Sequence, residues 1–197
     1  MRSRQIRRVG VSLFLILATG CGLFGPRDAE PPNQSSLDYT PPTDPAIVIA
    51  NLQSAVNQKN VANYMNCLAD PLRSRRMFTF VPSAEASAQY ASALIDWSIA
   101  QEQSYFQNLI AKSSPTAYTN LFLTRKDSIV TADSVVYSYD YTFTFEHNEP
   151  GFPRIARGNL QFALAPDASN FWSIYRWMDF KTGSDITWSM FKGKFSN

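Results

Sequence analysis

The sequence predicts an α+β fold in which helices near the N-terminus pack on one face of a mainly antiparallel sheet. Apolar residues recur at helical spacing between residues 45 and 112, and beyond residue 117 apolar and polar residues alternate. Turn-forming stretches rich in Pro, Gly and Asn separate the alternating segments. Helices grouped before strands are typical of α+β domains.

The first 20 residues have the pattern of a secretory signal peptide. Four arginines lie among the first eight residues, and residues 9–17 form a short apolar run that ends in the small residues 18–20. This run is too short to cross the roughly 30 Å of membrane hydrocarbon as a helix. We therefore exclude residues 1–20 from the folded chain.

The cysteine that follows makes the signal more specific. Residues 17–21, LATGC, resemble the lipobox of bacterial lipoproteins, which implies that Cys21 carries a diacylglyceryl group and anchors the chain to a membrane. Gly22, rather than Asp, favours the outer membrane, facing either the periplasm or the cell exterior. An ordinary signal peptide before a chance cysteine and an uncleaved anchor are the alternatives.

Charge and cysteine content narrow the class of protein. The signal peptide holds four of the 18 Lys and Arg residues, so the mature chain has 14 basic and 16 acidic residues. This balance does not indicate a nucleic-acid-binding protein. Lipidation of Cys21 leaves Cys67 without an intramolecular partner, and its apolar neighbours predict a small buried hydrophobic residue.

A tether and two helical segments precede the strands. Residues 21–44 are the expected lipidated cysteine and Pro-rich tether, and residues 45–197 are the expected domain. The domain begins with a helix, because Thr43 or Asp44 can cap it and Pro45 suits the first helical position. After a polar break, helical spacing resumes at Val61 and ends at Asp70, which precedes a proline.

The middle of the chain is predicted to hold a short strand and two further helical segments. A short strand is expected at residues 77–81, and the Ala- and Ser-rich residues 84–95 are expected to be helical. Asp96 resembles an N-cap for a helix over residues 97–112. Ser-Ser-Pro at residues 113–115 ends that helix.

The strands follow from period-two alternation. Strand pieces are expected at residues 117–124 and 128–131, separated by a turn at residues 125–127. Residues 135–145 alternate without interruption, which predicts a long strand with one packed face. Its apolar face begins with Val135 and continues with five aromatic residues, which we call the aromatic ladder: Tyr137, Tyr139, Tyr141, Phe143 and Phe145.

The last third of the chain continues the sheet. Residues 147–153 are an expected turn, residues 155–165 a return strand and residues 171–180 a final long strand. Residues 188–195 are expected to be a terminal extension.

Two stretches carry a resemblance to a known fold family. AVNQKNVANYMNCLADP, at residues 55–71, resembles the first helix of nuclear transport factor 2-like domains, and WSIYRWMDF, at residues 172–180, is similar to a strand of their curved sheet. The resemblance covers residues 45–197 and includes SnoaL-like proteins. It implies a cone in which helices close over a curved sheet and often leave an apolar pocket.

The aromatic ladder is the main candidate binding feature. Tyr137, Tyr139, Tyr141, Phe143 and Trp177 either line a pocket for an apolar ligand or form the core face of the sheet. Trp172, Trp177 and Trp188 are candidates for a partner-binding patch or for stacking on sugar rings, and Trp172 and Trp177 are expected on opposite strand faces.

Enzymes of this superfamily place Asp, His or Tyr in the cone, so these residues are the candidates for catalysis. Asp179 is the candidate buried carboxylate and is expected to share a face with Phe171, Tyr175 and Trp177; it could equally bond backbone amides. His147 is expected to be solvated in a turn, and Asp140 to point away from the ladder. No matched pair of carboxylates and no His–acid pair can be placed together, so catalysis is not favoured.

Other site chemistry finds little support. One His and one free Cys at no ligand spacing predict no metal site, and no cofactor motif occurs. Three arginines, Arg73, Arg75 and Arg76, indicate either a solvated bend or a contact with anionic lipid or glycan.

The sequence therefore predicts a membrane-anchored envelope lipoprotein with a non-catalytic domain that binds an apolar small molecule or an envelope protein. The alternatives are an isomerase- or dehydratase-like enzyme that uses an acidic residue in the cone, and an assembly protein that forms a homodimer through its sheet.

Overall fold

The computed structural model describes residues 39–183 and 185–196, and this part of the chain has the predicted α+β architecture. It holds six helices and a five-stranded mixed sheet. The predicted signal peptide (residues 1–20), Cys21 and the tether up to residue 38 lie outside the described residues. Among the residues described, no helix is both long enough and apolar enough to span a membrane.

The first two helices begin where the sequence predicts, but the second ends at Asn66, four residues before the predicted stop at Asp70. Helix α1 spans Pro45–Asn57, and the Asp44 side chain caps it by accepting a hydrogen bond from the Ala46 amide at 2.7 Å. Helix α2 spans Val61–Asn66 and is capped by Asn60.

The residues before α1 contact the domain. Tyr39 Oη donates a hydrogen bond to the Asn66 carbonyl at 2.9 Å, and the Trp172 amide donates one to the Pro42 carbonyl at 2.7 Å. The Asn51 side chain exchanges two hydrogen bonds with the Thr40 backbone. Residues 39–44, at the end of the predicted tether, are therefore held against α1, α2 and the sheet.

The middle segment contains the short strand β1, Thr79–Val81, and the helices α3, Ala84–Gln89, and α4, Ala91–Leu94. Helix α5 spans Ile99–Ala111 and begins with a capping box between Ser98 and Gln101. The prediction of Asp96 as the cap is wrong. Asp96 has φ of 53°, whereas Ser98 has the extended backbone that an N-cap requires.

The remaining strands are β2, Thr119–Val130; β3, Val135–Phe145; β4, Ile155–Pro166; and β5, Trp172–Phe180. The sheet order is β1-β5-β4-β3-β2, in which only β1 and β5 are parallel. The predicted turn at residues 125–127 is wrong. Strand β2 continues through it and absorbs the extra residue as a register shift between Arg125 and Asp127.

A second irregularity changes which residues of β5 face inward. Leu164 pairs with Ile174, while Ala163 pairs with Arg176, so Tyr175 is an extra residue on β5. Trp177 and Asp179 are buried on one face, as expected, and the extra residue places Ile174 on that face as well. The prediction that Phe171 and Tyr175 share this face is wrong, because the extra residue reverses the alternation before Arg176. For the same reason Trp172 lies on the face of Trp177, and the prediction of opposite faces for these two residues is wrong.

The predicted terminal extension is a helix, α6, Trp188–Phe195. Seven of its eight residues are buried, including Ser189 and Lys192. Gly193 permits this packing, because a Cβ atom at that position would lie only 2.5 Å from the Tyr90 ring. Helix α6 therefore occupies the inner face of the sheet rather than its margin.

Candidate functional site

The predicted pocket residues all lie in the interior. The five side chains are at most 8% exposed, which agrees with the core-face interpretation of the aromatic ladder. They are Tyr137, Tyr139, Tyr141, Phe143 and Trp177.

Helix α6 packs on three of these residues through Trp188. The Trp188 ring stacks on Phe143 with centroids 4.3 Å apart and meets the edge of Trp177 at 4.6 Å. Its Nε1 donates a hydrogen bond to Tyr105 Oη at 2.8 Å, and its backbone amide donates one to Tyr141 Oη at 2.7 Å. The place that a pocket ligand would take is thus filled by the protein itself.

Helix α6 also contributes to a buried ion pair. The Lys192 ammonium of α6 donates hydrogen bonds to both carboxylate oxygens of Glu102, at 2.8 and 2.7 Å, and both side chains are fully buried. Glu102 also accepts a hydrogen bond from Tyr64 Oη at 2.5 Å and one from Trp97 Nε1 at 2.6 Å. This carboxylate is therefore satisfied by three side chains from separate parts of the chain.

Aromatic rings surround the Lys192 ammonium. It lies 3.6 Å from the centroid of Trp177 and 3.8 Å from that of Phe80, with Trp97 and Tyr105 within 6 Å. Burial lowers the pKa of Lys192 to about 8, although the Glu102 carboxylate acts in the opposite direction.

Asp179 is buried as predicted and bonds a backbone amide. Its Oδ2 accepts hydrogen bonds from the Ser189 amide at 2.6 Å and the Ser189 hydroxyl at 2.5 Å, while Oδ1 accepts one from Tyr141 at 2.9 Å. Burial raises the pKa of Asp179, and the two bonds from Ser189 oppose that rise. This carboxylate anchors the start of α6.

These groups have the chemistry of an acid–base site but not its accessibility. General acid–base catalysis requires a group within hydrogen-bond reach of the substrate. Glu102, Lys192 and Asp179 are each enclosed, and their hydrogen bonds go to other protein groups. As folded, the arrangement binds α6 and holds it in the cone.

His147 lies in the predicted turn but is not solvated, so that expectation is wrong. It is 2% exposed, and its ring packs between Phe152, Phe191 and Phe195. Its Nε2 lies 3.1 Å from the Pro153 carbonyl, and its Nδ1 accepts a hydrogen bond from the Glu149 amide. Two of these rings belong to α6, which was not predicted as a helix.

Asp140 points away from the ladder, as expected, and forms an ion pair with Lys126 at 2.7 Å on the outer face. The three arginines lie in a turn and bend that follow α2, as predicted. Arg73 pairs with Asp70, and Arg76 pairs with Asp133 while its guanidinium stacks over the Tyr175 ring. In residues 39–183 and 185–196, no three His, Cys, Asp or Glu side chains are placed to hold a metal ion.

Cys67 is a free, fully buried thiol, as predicted. Burial raises its pKa, and a thiol rather than a thiolate is a poor nucleophile. In a Cys21→Ser variant, where Cys67 is the remaining cysteine, we expect no reaction with an aromatic disulfide reagent until the protein is denatured. Adding Ala62→Cys, an exposed position on α2, supplies the control that should react at once. Equal rates at the two positions would contradict the buried placement.

A surface cleft lies where residues 39–42 cross the start of β5. Its volume is about 260 Å³, and Tyr39, Pro42, Leu68, Phe171 and Trp172 supply its apolar walls. Charged and amide side chains also line it: Asn66, Asp70, Arg73 and Asp167. Trp172 is half-buried here, so of the three predicted tryptophans only this one reaches a surface cleft, whereas Trp177 and Trp188 are buried.

Glu102 and Lys192 were not predicted as site residues from the sequence. A signal existed for Glu102, because it follows Ile99 by three residues and precedes Phe106 by four, which places it on the apolar face of α5. Lys192 could be placed only after residues 188–195 were known to form a helix.

By sequence, the chain matches no family model and no curated protein. By structure it is similar to a nuclear transport factor 2-like (NTF2-like) superfamily protein from Salmonella enterica, with 12% identity and a TM-score of 0.52 over 70% of this chain and 87% of that one. A candidate dehydratase of the NTF2-like family from Streptomyces avermitilis has 9% identity and a TM-score of 0.52 over 71% and 94% of the two chains. A ketosteroid isomerase-like protein from Erwinia carotovora has 10% identity and a TM-score of 0.50 over 71% and 94%. At these identities the likeness shows the fold.

Proposed function

We propose that this chain, whose domain has the nuclear transport factor 2-like fold, is a lipid-anchored bacterial envelope protein that binds a protein partner and is not an enzyme. The membrane anchor is the lipid on Cys21, and the domain uses its outer surface rather than its cone. For the chain as a whole, this proposal keeps the envelope lipoprotein that the sequence predicts.

The observation that carries the proposal is the occupation of the cone by α6. In this fold an enzyme or a carrier needs an open interior, because a substrate or ligand must reach the groups that line it. Here Trp188 covers Phe143 and Trp177, and Lys192 neutralises Glu102. A filled interior favours binding of a partner at the outer surface of the domain.

The cleft beside Trp172 supports a protein partner over a free small molecule. Pockets that enclose a small-molecule ligand typically have volumes of about 300–1,000 Å³. At about 260 Å³ the cleft lies near the lower end of this range. The ion pair of Asp70 with Arg73 at its edge resembles the polar rim of a protein interface, and this is the feature that favours a protein partner.

The enzyme alternative rests on Asp179, whose pKa is raised by burial and whose Oδ1 contacts Tyr141. An elevated carboxyl pKa suits a general acid or base. The bonds from Ser189 to Oδ2 argue against this role as long as α6 is in place.

Native mass spectrometry of residues 22–197, purified gently without the lipid site, tests the filled cone. We expect the mass of the bare polypeptide, because α6 leaves the ligand's place occupied. A copurifying small molecule of reproducible mass would contradict the proposal and favour a carrier. Separately, labelled palmitate should be incorporated by the wild-type chain in a bacterial host and not by Cys21→Ser; equal labelling would contradict the anchor.

A photo-crosslinking side chain tests the surface. Placed at the exposed Phe171 in the cleft, it should yield one discrete crosslinked envelope protein, and Trp172→Ala should abolish that product. Phe122, exposed on β2 at the other edge of the sheet, is the control position. A homodimer crosslinked from Phe122 would favour the assembly alternative instead.

A further inference from the structure

The surroundings of Lys192 have the composition of a cation-binding site. Ring faces of Phe80 and Trp177 lie within 4 Å of the ammonium, and the Glu102 carboxylate lies within hydrogen-bond distance of it. Aromatic faces combined with a carboxylate are how proteins recognise ammonium groups, since both attract a cation that has lost its water.

The walls of this site, which we call the ammonium cage, do not belong to α6. They are Phe80 of β1, Trp97 before α5, Glu102 and Tyr105 of α5, and Trp177 of β5. Lys192 enters from α6, at the end of the chain. The cage and its occupant are thus separate parts of the protein.

The walls of the cage also contact one another, independently of their contacts with Lys192. Trp97 Nε1 and Tyr64 Oη both donate hydrogen bonds to Glu102, which orients the carboxylate. Phe80 meets Trp97 and Trp177 at centroid distances of 5.9 Å each, and Trp97 meets Tyr105 at 6.3 Å. A site whose walls support one another is preorganised for its ligand.

We propose that the interior of the cone is a binding site for a primary alkylammonium group, and that Lys192 occupies it as an internal ligand. The Lys192 nitrogen donates hydrogen bonds to both Glu102 carboxylate oxygens, as one compact cation can. An alkyl chain carries this nitrogen, so the matching ligand is an alkylammonium ion. Helix α6 then acts as a tethered ligand that excludes free amines from the cone. The inference is independent of the surface cleft.

Chemical rescue of a Lys192→Ala variant in the full chain tests the ammonium cage. Alanine keeps Cβ, so n-propylammonium supplies the missing carbons and nitrogen. We expect n-propylammonium chloride to restore roughly half or more of the lost Tm in a saturable manner, because a ligand that binds only the folded state stabilises it. The neutral isostere n-propanol and sodium chloride at equal ionic strength should restore little.

Matched variants make the result specific. Lys194→Ala, on the same helix but partly exposed and paired with Glu149, should show no rescue by either compound. In Lys192→Ala/Glu102→Gln, where the carboxylate is gone, n-propanol should become at least as effective as n-propylammonium. This reversal separates recognition of charge from filling of space.

If Lys192→Ala does not fold alone, the readout is the yield of folded protein on refolding in each solution. A higher yield in n-propylammonium than in n-propanol or sodium chloride supports the cage. Equal effects of the amine and the alcohol, amine rescue of Lys194→Ala, or no rescue in any solution would overturn it.

Discussion

Replacing Lys192 with methionine is expected to lower the free energy of unfolding by about 3–5 kcal/mol, since it removes one partner of a buried ion pair. Methionine retains most of the side-chain volume, so the loss comes from charge rather than from a cavity. The Glu102 carboxylate would remain enclosed with only the neutral donors Tyr64 and Trp97. Urea denaturation at 25 °C and pH 7, followed by tryptophan fluorescence, measures the change.

The double variant Lys192→Met/Glu102→Gln should recover most of that loss. When both charges are removed together, neither position leaves an unpaired buried charge, and such replacements are often neutral or stabilising. Lys194→Met is the matched control, because its pair with Glu149 is exposed to solvent and should contribute little to stability. If Lys192→Met is no more destabilising than Lys194→Met, the buried ion pair is not what holds α6 in the cone.

Replacing Trp188 with alanine is expected to lower the free energy of unfolding by about 3–5 kcal/mol, the range for removing a large buried aromatic side chain. The substitution removes the stack on Phe143 and the contact with Trp177, and it leaves Tyr105 Oη without its donor. Such a loss is a large fraction of the stability of an ordinary domain, which is about 5–15 kcal/mol. Calorimetry and urea denaturation both measure it.

Trp172→Ala is the control for this substitution. Trp172 is half-buried at the surface cleft, so its loss should change stability by less than half as much as that of Trp188. Equal losses at the two positions would mean that α6 contributes no more to the core than the cleft does. The cavity left by Trp188→Ala should also admit small apolar molecules, because in the wild-type protein the Trp188 side chain fills that space.

Local patterns predicted the regular elements well. Strand β3 has the predicted bounds, because uninterrupted alternation over residues 135–145 is compatible only with a strand that buries one face. The Asp44 cap and the proline after it likewise mark the start of α1 by local chemistry alone.

Errors occurred where a partner strand or helix decides the outcome. The register shifts in β2 and β5 depend on pairing with β3 and β4, so alternation within one strand cannot locate them. The shift at Tyr175 moved that residue off the inner face of Asp179. The cap at Ser98 rather than Asp96 depends on a backbone turn in which Asp96 takes a positive φ.

The candidate site shows the same division. Asp179 was predicted as buried because it lies two residues after Trp177 and therefore on the same strand face. Its partners, Tyr141 and Ser189, come from β3 and α6 and were not predicted. His147 was expected at the surface because a turn usually is exposed; the rings of Phe191 and Phe195 bury it.

The sequence by itself determined the fold class, the extent of the long strands and the inward face of the aromatic ladder, since these follow from periodicity along the chain. Only the tertiary structure decided that the interior is occupied by the chain's own C-terminal helix. Residues 188–195 carry two lysines, one serine, one glycine and three aromatic residues, with no local pattern that specifies burial. They are buried because the ammonium cage and the aromatic ladder, assembled from β1, α5, β3 and β5, offer Lys192 and Trp188 partners that no neighbouring residue supplies.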